Sequence, residues 1–244
     1  MLEIKGLTGG YQQDVPVIRD VSFEVQAGEW VGLIGMNGAG KSTVLKHILG
    51  LLEAQAGTIS LRGETLKSDR SAFRAGIAYV PETPKLYQEL TLREHLQLTA
   101  MAYGLESGVY EERSERLLHT FRMKDHLDEF PGTFSKGMQQ KVMILCAFLL
   151  QPDLLIVDEP FVGLDPLAIH ALLELLEEMR RQGTGILLST HILGMAETYC
   201  DRFVMMNRGE IALHGTLAQM GEQAKLPGAS LDDLFIHVVK GSAR

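Results

Sequence analysis

Three short stretches hold the residue types and spacings best suited to chemistry. Gly35-Met36-Asn37-Gly38-Ala39-Gly40-Lys41-Ser42-Thr43 fits the pattern G-x-x-x-x-G-K-[ST] at every fixed position. Its glycines let the backbone curl until successive N–H groups and a helix N-terminus face a polyphosphate, while Lys41 supplies a point charge and Ser42 a hydroxyl for Mg²⁺. Asp158-Glu159-Pro160 closes the apolar run 154–157, which puts two carboxylates at the C-terminal edge of a buried parallel strand, where open α/β sheets bind ligands. Asp158 suits a Mg²⁺ held through water opposite Ser42, and Glu159 suits the orientation or deprotonation of an attacking water. His191 ends the apolar strand 185–190 and therefore reaches the same sheet edge, where it serves either structure or chemistry.

The elements around these stretches follow from hydrophobic period. Residues 30–34 read as a buried strand leading into the phosphate loop, and Ser42 to Leu49 as a helix with Val44, Leu45, Ile48 and Leu49 apolar. Leu2 to Leu7 and Val21 to Val25 alternate at period two, as antiparallel strands with one wet face do. Tyr11 lies in the loop between them, and by its residue type it is a loop aromatic capping the local core. Residues 58–63 continue the strand pattern, and Ile77 to Val80 form a strand that Pro81 must end. From Thr91 the period becomes helical: Thr91 and Glu94 form a capping box, with Leu92, Leu96, Thr99 and Tyr103 following at helical spacing.

Ser135 caps a helix carrying Met138, Val142, Cys146 and Leu149 on one face, and Gly137 beside it leaves that helix N-terminus open to an anion as well. Asp165-Pro166 opens another helix that buries Leu172, Leu175, Leu176 and Met179, with Glu177 and Arg181 paired on its outside and Gly183 at its end. Residues 201–212 read as a hairpin turning at Asn207-Arg208-Gly209, and Leu231 to Val239 as a short amphipathic helix. The predicted architecture is an α/β chain, 1–83 and 151–244, with a mostly helical insert over 84–150 and a helical tail over 220–244.

Composition narrows the class. The chain has 244 residues, 45% hydrophobic and 22% charged, enough to bury a core, and its net charge of −8 recommends neither nucleic acid nor an anionic membrane surface as partner. The longest apolar run, Val142 to Leu150, has nine residues, against about 20 for a bilayer-spanning helix. The start of the chain does not open as a signal peptide. Cys146 and Cys200 stand among apolar or aromatic neighbours with no metal-type spacing, which points to buried thiols in a reducing compartment and hence to the cytoplasm.

A phosphate loop, a helical insert, an Asp-Glu strand end and a His strand end, in this order and over this length, resemble the ATP-binding subunit of an ABC transporter, and the resemblance covers essentially the whole chain. It implies a P-loop NTPase core with an antiparallel β subdomain and an inserted α-helical subdomain, ATP and Mg²⁺ as ligands, and ATPase activity. It makes Tyr11 the aromatic that stacks on adenine, Asp158 and Glu159 the Walker B pair, Asp165 the D-loop aspartate and His191 the histidine that senses the γ-phosphate. The signature stands here as Phe134-Ser135-Lys136-Gly137-Met138, matching the usual Leu-Ser-Gly-Gly-Gln at Ser135 and Gly137 only; Lys136 adds a cation that either aids closure on the opposing phosphate or alters nucleotide release. The Q-loop position carries Glu82, still an oxygen ligand for Mg²⁺ but unable to donate a hydrogen bond. The wording of residues 79–98 and 134–144 resembles Ecs-type subunits of the ABC-2-like export group.

The resemblance further implies a head-to-tail pair of such subunits, identical or not, with the phosphate loop of one and Ser135, Lys136, Gly137 and Met138 of the other enclosing each ATP. It implies a separately encoded polytopic membrane partner, no nucleic acid, and a peripheral place at the cytoplasmic face of the membrane. The competing expectation is a soluble ATPase of the same family that serves no transporter.

Overall fold

The computed structural model describes residues 1–241. In chain order it forms β1 (Leu2–Gly9), β2 (Ile18–Val25), β3 (Trp30–Ile34), α1 (Lys41–Ile48), β4 (Ala56–Leu61), β5 (Glu64–Thr65), α2 (Arg70–Ala75) and β6 (Ile77–Val80). Then follow α3 (Leu92–Ala102), α4 (Ser107–Thr120), α5 (Lys136–Leu149), β7 (Leu154–Asp158), α6 (Pro166–Arg181) and β8 (Gly185–Thr190). The chain continues through α7 (Leu193–Tyr199), β9 (Arg202–Asn207), β10 (Glu210–Gly215), α8 (Leu217–Gln223) and α9 (Leu231–Gly241). No helix among the described residues is long and apolar enough to cross a membrane.

Strand chemistry sorts these elements into two sheets. Alternating strands build an antiparallel sheet in the order β2-β1-β4-β5, whereas the mostly apolar, buried strands form the parallel part of a six-stranded sheet in the order β10-β9-β3-β8-β7-β6, of which only the edge strand β10 alternates. Its strands β9, β3, β8, β7 and β6 run parallel, and β10 closes one edge antiparallel, turning at Arg208 and Gly209, both at positive φ. Continuous apolarity is required because both faces of the parallel sheet are covered. On β7, Leu154 and Ile156 enter the core shared with α1 and the antiparallel sheet, while Leu155 and Val157 enter the core shared with the helices. A third core joins Ile34, Phe203 and Met205 to α7, α8 and α9.

The helical segment does not stand apart. Leu92 and Leu96 of α3, Leu117 of α4 and Leu145 of α5 belong to the same buried cluster as Val80, Val157 and Leu188 of the sheet. Helix α5 differs from the single apolar face its sequence suggests. Ile144, Leu145, Ala147 and Phe148 are buried along with Val142 and Leu149, while Met138 and Cys146 are only half-buried. The cause is its position, packed on α3, α4 and β6 together, which covers more than one side. Trp30 is fully buried at the start of β3, its ring centroid 5.7 Å from that of Tyr199 at the end of α7.

Helix ends are set as the local chemistry demands. Thr91 accepts from the Glu94 backbone N–H at 3.3 Å while Glu94 accepts from the Thr91 backbone N–H at 2.7 Å. Asp165 Oδ1 accepts from the Ala168 N–H at 2.9 Å, with Pro166 at the first helical position of α6.

Candidate functional site

The phosphate loop links β3 to α1, and Gly40 makes the junction. It is the N-cap residue of α1 at φ +108°, ψ 0°, a conformation open to glycine and strained for any residue with a Cβ. Lys41, buried in the first turn, donates from Nζ to the carbonyls of Gly35 at 2.6 Å and Met36 at 3.4 Å. Met36, Asn37, Gly38 and Ser42 are exposed, whereas Gly35, Ala39, Gly40 and Thr43 are buried. Burial lowers the Lys41 pKa, and the charges of Glu159, Asp158 and Glu82 partly oppose that shift. One ammonium therefore lies in the field of three carboxylates.

Those carboxylates come from the ends of adjacent strands. Asp158 ends β7 in register with Ser189 of β8, and burial raises its pKa, with Glu82 and Glu159 pushing the same way and Ser189 and Lys41 opposing. Among the described residues Ser189 Oγ has no partner within hydrogen-bond geometry, yet it stays close enough to hold the Asp158 carboxyl down in part. The Tyr79 phenol on β6 is shifted upward, by burial first and then by Asp158 and Glu82. An oxygen-rich group with mutually repelling charges fits a hard cation such as Mg²⁺: Asp158 and Glu82 supply carboxylates and Ser42 an exposed hydroxyl. Among the described residues no three His, Cys, Asp or Glu side chains form a complete metal cluster. A cation here would share its shell with phosphate oxygens and water.

Glu159 is held more tightly than its neighbour. Its φ is +46°, uncommon for a residue with a Cβ, and its side chain is buried. The Glu159 N–H donates to the Ser189 carbonyl at 2.8 Å. Oε1 lies 2.8 Å from Nδ1 of His191, and Oε2 accepts from Thr190 Oγ1 at 3.1 Å. His191 remains 61% exposed at its side chain, so one of its ends is fixed and the ring is open to a ligand. A carboxylate fixed at both oxygens beside a lysine-lined phosphate loop has the geometry of a water-orienting base.

The remaining predicted residues fall into two groups. Tyr11, 56% exposed, sits against α1: Lys46 Nζ donates to its hydroxyl at 3.2 Å and lies 4.8 Å from its ring centroid. The nearby Thr43 hydroxyl is the main cause of its lowered pKa, with Lys46 acting in the same direction. Ser135, Lys136, Gly137 and Met138 open α5, with Ser135 Oγ accepting from the Met138 N–H at 3.3 Å. Gly137 has a use the sequence does not reveal, since a Cβ there would collide with the carbonyl oxygen of Gly163, just before Asp165. Lys141 Nζ reaches Asp165 Oδ2 at 3.1 Å, and Gln140 Nε2 donates to the Pro81 carbonyl at 3.0 Å, next to Glu82. Nothing in the sequence marks the parts of Thr190, Tyr79, Gln140, Lys141 and Lys46, because each meets a partner distant along the chain.

The profile of the ABC transporter family matches residues 18–162. The chain is 52% identical over 243 residues to the ABC-type transporter ATP-binding protein EcsA of Bacillus subtilis (strain 168), an alignment covering 100% of this chain and 98% of that one. A solved ATP-binding subunit of an ABC transporter superposes with a TM-score of 0.95 at 56% identity, covering 98% of this chain and 99% of the other. A dimeric ATP-binding cassette, in a post-hydrolysis state bound to ADP and Pi, shares the fold at a TM-score of 0.79 and 23% identity, covering 89% of this chain and 99% of that one. The chain belongs to the ABC transporter family, as its ATP-binding and ATP-hydrolysing cassette.

Proposed function

We propose that this chain is the ATP-driven motor of an exporter, pairing with a second cassette on ATP and moving separately encoded polytopic subunits at the cytoplasmic face of the membrane. The observation that carries the reading is the convergence of Lys41, Asp158, Glu159 and His191 at one edge of the parallel sheet, in a chain that aligns end to end with a transporter's ATP-binding protein.

In this reading ATP lies with its phosphates in the loop 35–43, Lys41 against its β- and γ-phosphates and Tyr11 on its adenine. Bound Mg²⁺, held by Ser42, Asp158 and Glu82, would neutralise charge on the phosphates. Glu159 orients the attacking water and takes up its proton, and His191, tied to Glu159 at one nitrogen, turns its other end to the γ-phosphate. Ser135, Lys136, Gly137 and Met138 at the N-terminus of α5 close on the opposing site of a second cassette, where helix N–H groups complete an anion cage. Asp165, the D-loop aspartate of this reading, is tied to the signature helix through Lys141. Loss of the γ-phosphate opens the pair, and the helical part, 84–150, passes the motion on near Glu82. The likeness of residues 79–98 and 134–144 to Ecs-type subunits is what supports the export direction.

Capture of the tagged chain from detergent-solubilised native membranes tests this. A polytopic protein recovered in stoichiometric amount is the expected result; recovery of the chain alone, or with a soluble complex, overturns the coupling to transport.

A further inference from the structure

We propose that Thr190 is a positioning residue for ATP hydrolysis: its hydroxyl fixes the Glu159 carboxylate and, through the same oxygen, the turn that carries His191. The proposal rests on the reading of Glu159 as the water-orienting group.

Thr190 is the last residue of β8, wholly buried, and its Oγ1 makes two contacts of opposite sense. It accepts from the Ile192 N–H at 3.1 Å and donates to Glu159 Oε2 at 3.1 Å. A hydroxyl has one proton, so accepting from the peptide beyond His191 leaves that proton for the carboxylate. Ile192 follows His191 directly, so the first bond braces the two-residue turn on which His191 stands. The second bond, with the 2.8 Å contact from His191 Nδ1 to Oε1, occupies one lone pair on each Glu159 oxygen. The carboxylate plane is then fixed by two donors from consecutive residues, and its unused lone pairs hold a constant direction for water. The backbone of Glu159 is pinned by the same strand through the Ser189 carbonyl, at a φ of +46° that needs such support.

A strand interior favours threonine for its branched shape alone, and valine supplies that shape equally. What valine lacks is the hydroxyl. Thr190→Val would leave the Ile192 N–H and Glu159 Oε2 each without a partner while conserving volume, so its effect separates the hydroxyl from packing. Thr190→Ser keeps the hydroxyl and loses only a methyl.

Steady-state ATPase assays on the purified full chain test the proposal, with Glu159→Gln in parallel. We expect Thr190→Val to lower kcat by at least about tenfold, the range of a lost hydrogen bond to a charged group, with KM for ATP within about twofold of wild type. Thr190→Ser should restore most of kcat. An unchanged kcat in Thr190→Val, a rise confined to KM, or equal damage in Thr190→Ser each overturns the positioning role. Circular dichroism confirms folding; if Thr190→Val does not fold, Thr190→Ala removes the same hydroxyl without setting a methyl in its place and is judged by the same criteria. Retained turnover in Glu159→Gln would sink the reading of Glu159 itself. Collapse in Glu159→Gln with normal turnover in Thr190→Val would sink only the role of Thr190.

Discussion

Lys141 Nζ lies 3.1 Å from Asp165 Oδ2, and the other carboxylate oxygen of Asp165 caps α6, so one side chain joins the signature helix to the next helix start. The Ala168 N–H first, and Lys141 second, hold the Asp165 carboxyl below its ordinary value. A carboxylate whose pKa is depressed in the folded state contributes stability that is complete above its unfolded pKa and is lost as pH falls through the folded one.

Asp165→Ala should therefore cost about 1 kcal/mol at neutral pH, as lost N-caps do, and the difference from wild type should shrink as pH falls below the ordinary aspartate range. Asp165→Asn keeps a capping oxygen and should cost less. Thermal unfolding across pH measures both, and a pH-independent difference would contradict the assignment.

Glu159→Gln should reduce ATP turnover by about 10²-fold or more, the range of general-base contributions, while ATP binding persists. Size-exclusion chromatography with ATP and Mg²⁺ should then show a dimer, because the closed pair forms and cannot hydrolyse. A monomer under those conditions counts against the paired site.

Tyr11→Ala should raise the ATP concentration needed for half-maximal turnover by about tenfold, the scale of an aromatic–base stack, without lowering the melting temperature. The ring is 56% exposed, so its removal costs little packing. Unchanged ATP dependence would return Tyr11 to the part of a loop aromatic held by Lys46.

Gly137→Ala should destabilise the chain by about 1–3 kcal/mol, the usual cost of forced overpacking, since the new methyl meets the Gly163 carbonyl. Chemical denaturation measures this. A variant as stable as wild type but inactive would place the role of Gly137 wholly at the nucleotide.

The sequence makes the parallel sheet and its ligand edge readable because burial on both faces forces runs such as Leu154 to Val157, and the motifs sit where those runs end. Helices α3 and α6 are equally plain, for each carries its cap and its period within one window. The six-residue α2 and the seven-residue α7 and α8 are too short for a period to emerge. Within the site, the phosphate loop is written contiguously, but the clamp on Glu159 joins residues 31 positions apart, and neither partner signals the other. Gly137 was legible as a glycine that matters, while the carbonyl that requires it comes from a separate loop.

Trp30 is the single tryptophan in the chain, and it rests on Tyr199, the last residue of the helix that begins two positions after His191. Any rotation of that helix relative to β3 changes the distance and tilt between the two rings. The molecule thus contains an intrinsic optical gauge, whose emission can be followed without a label while nucleotide binds and leaves.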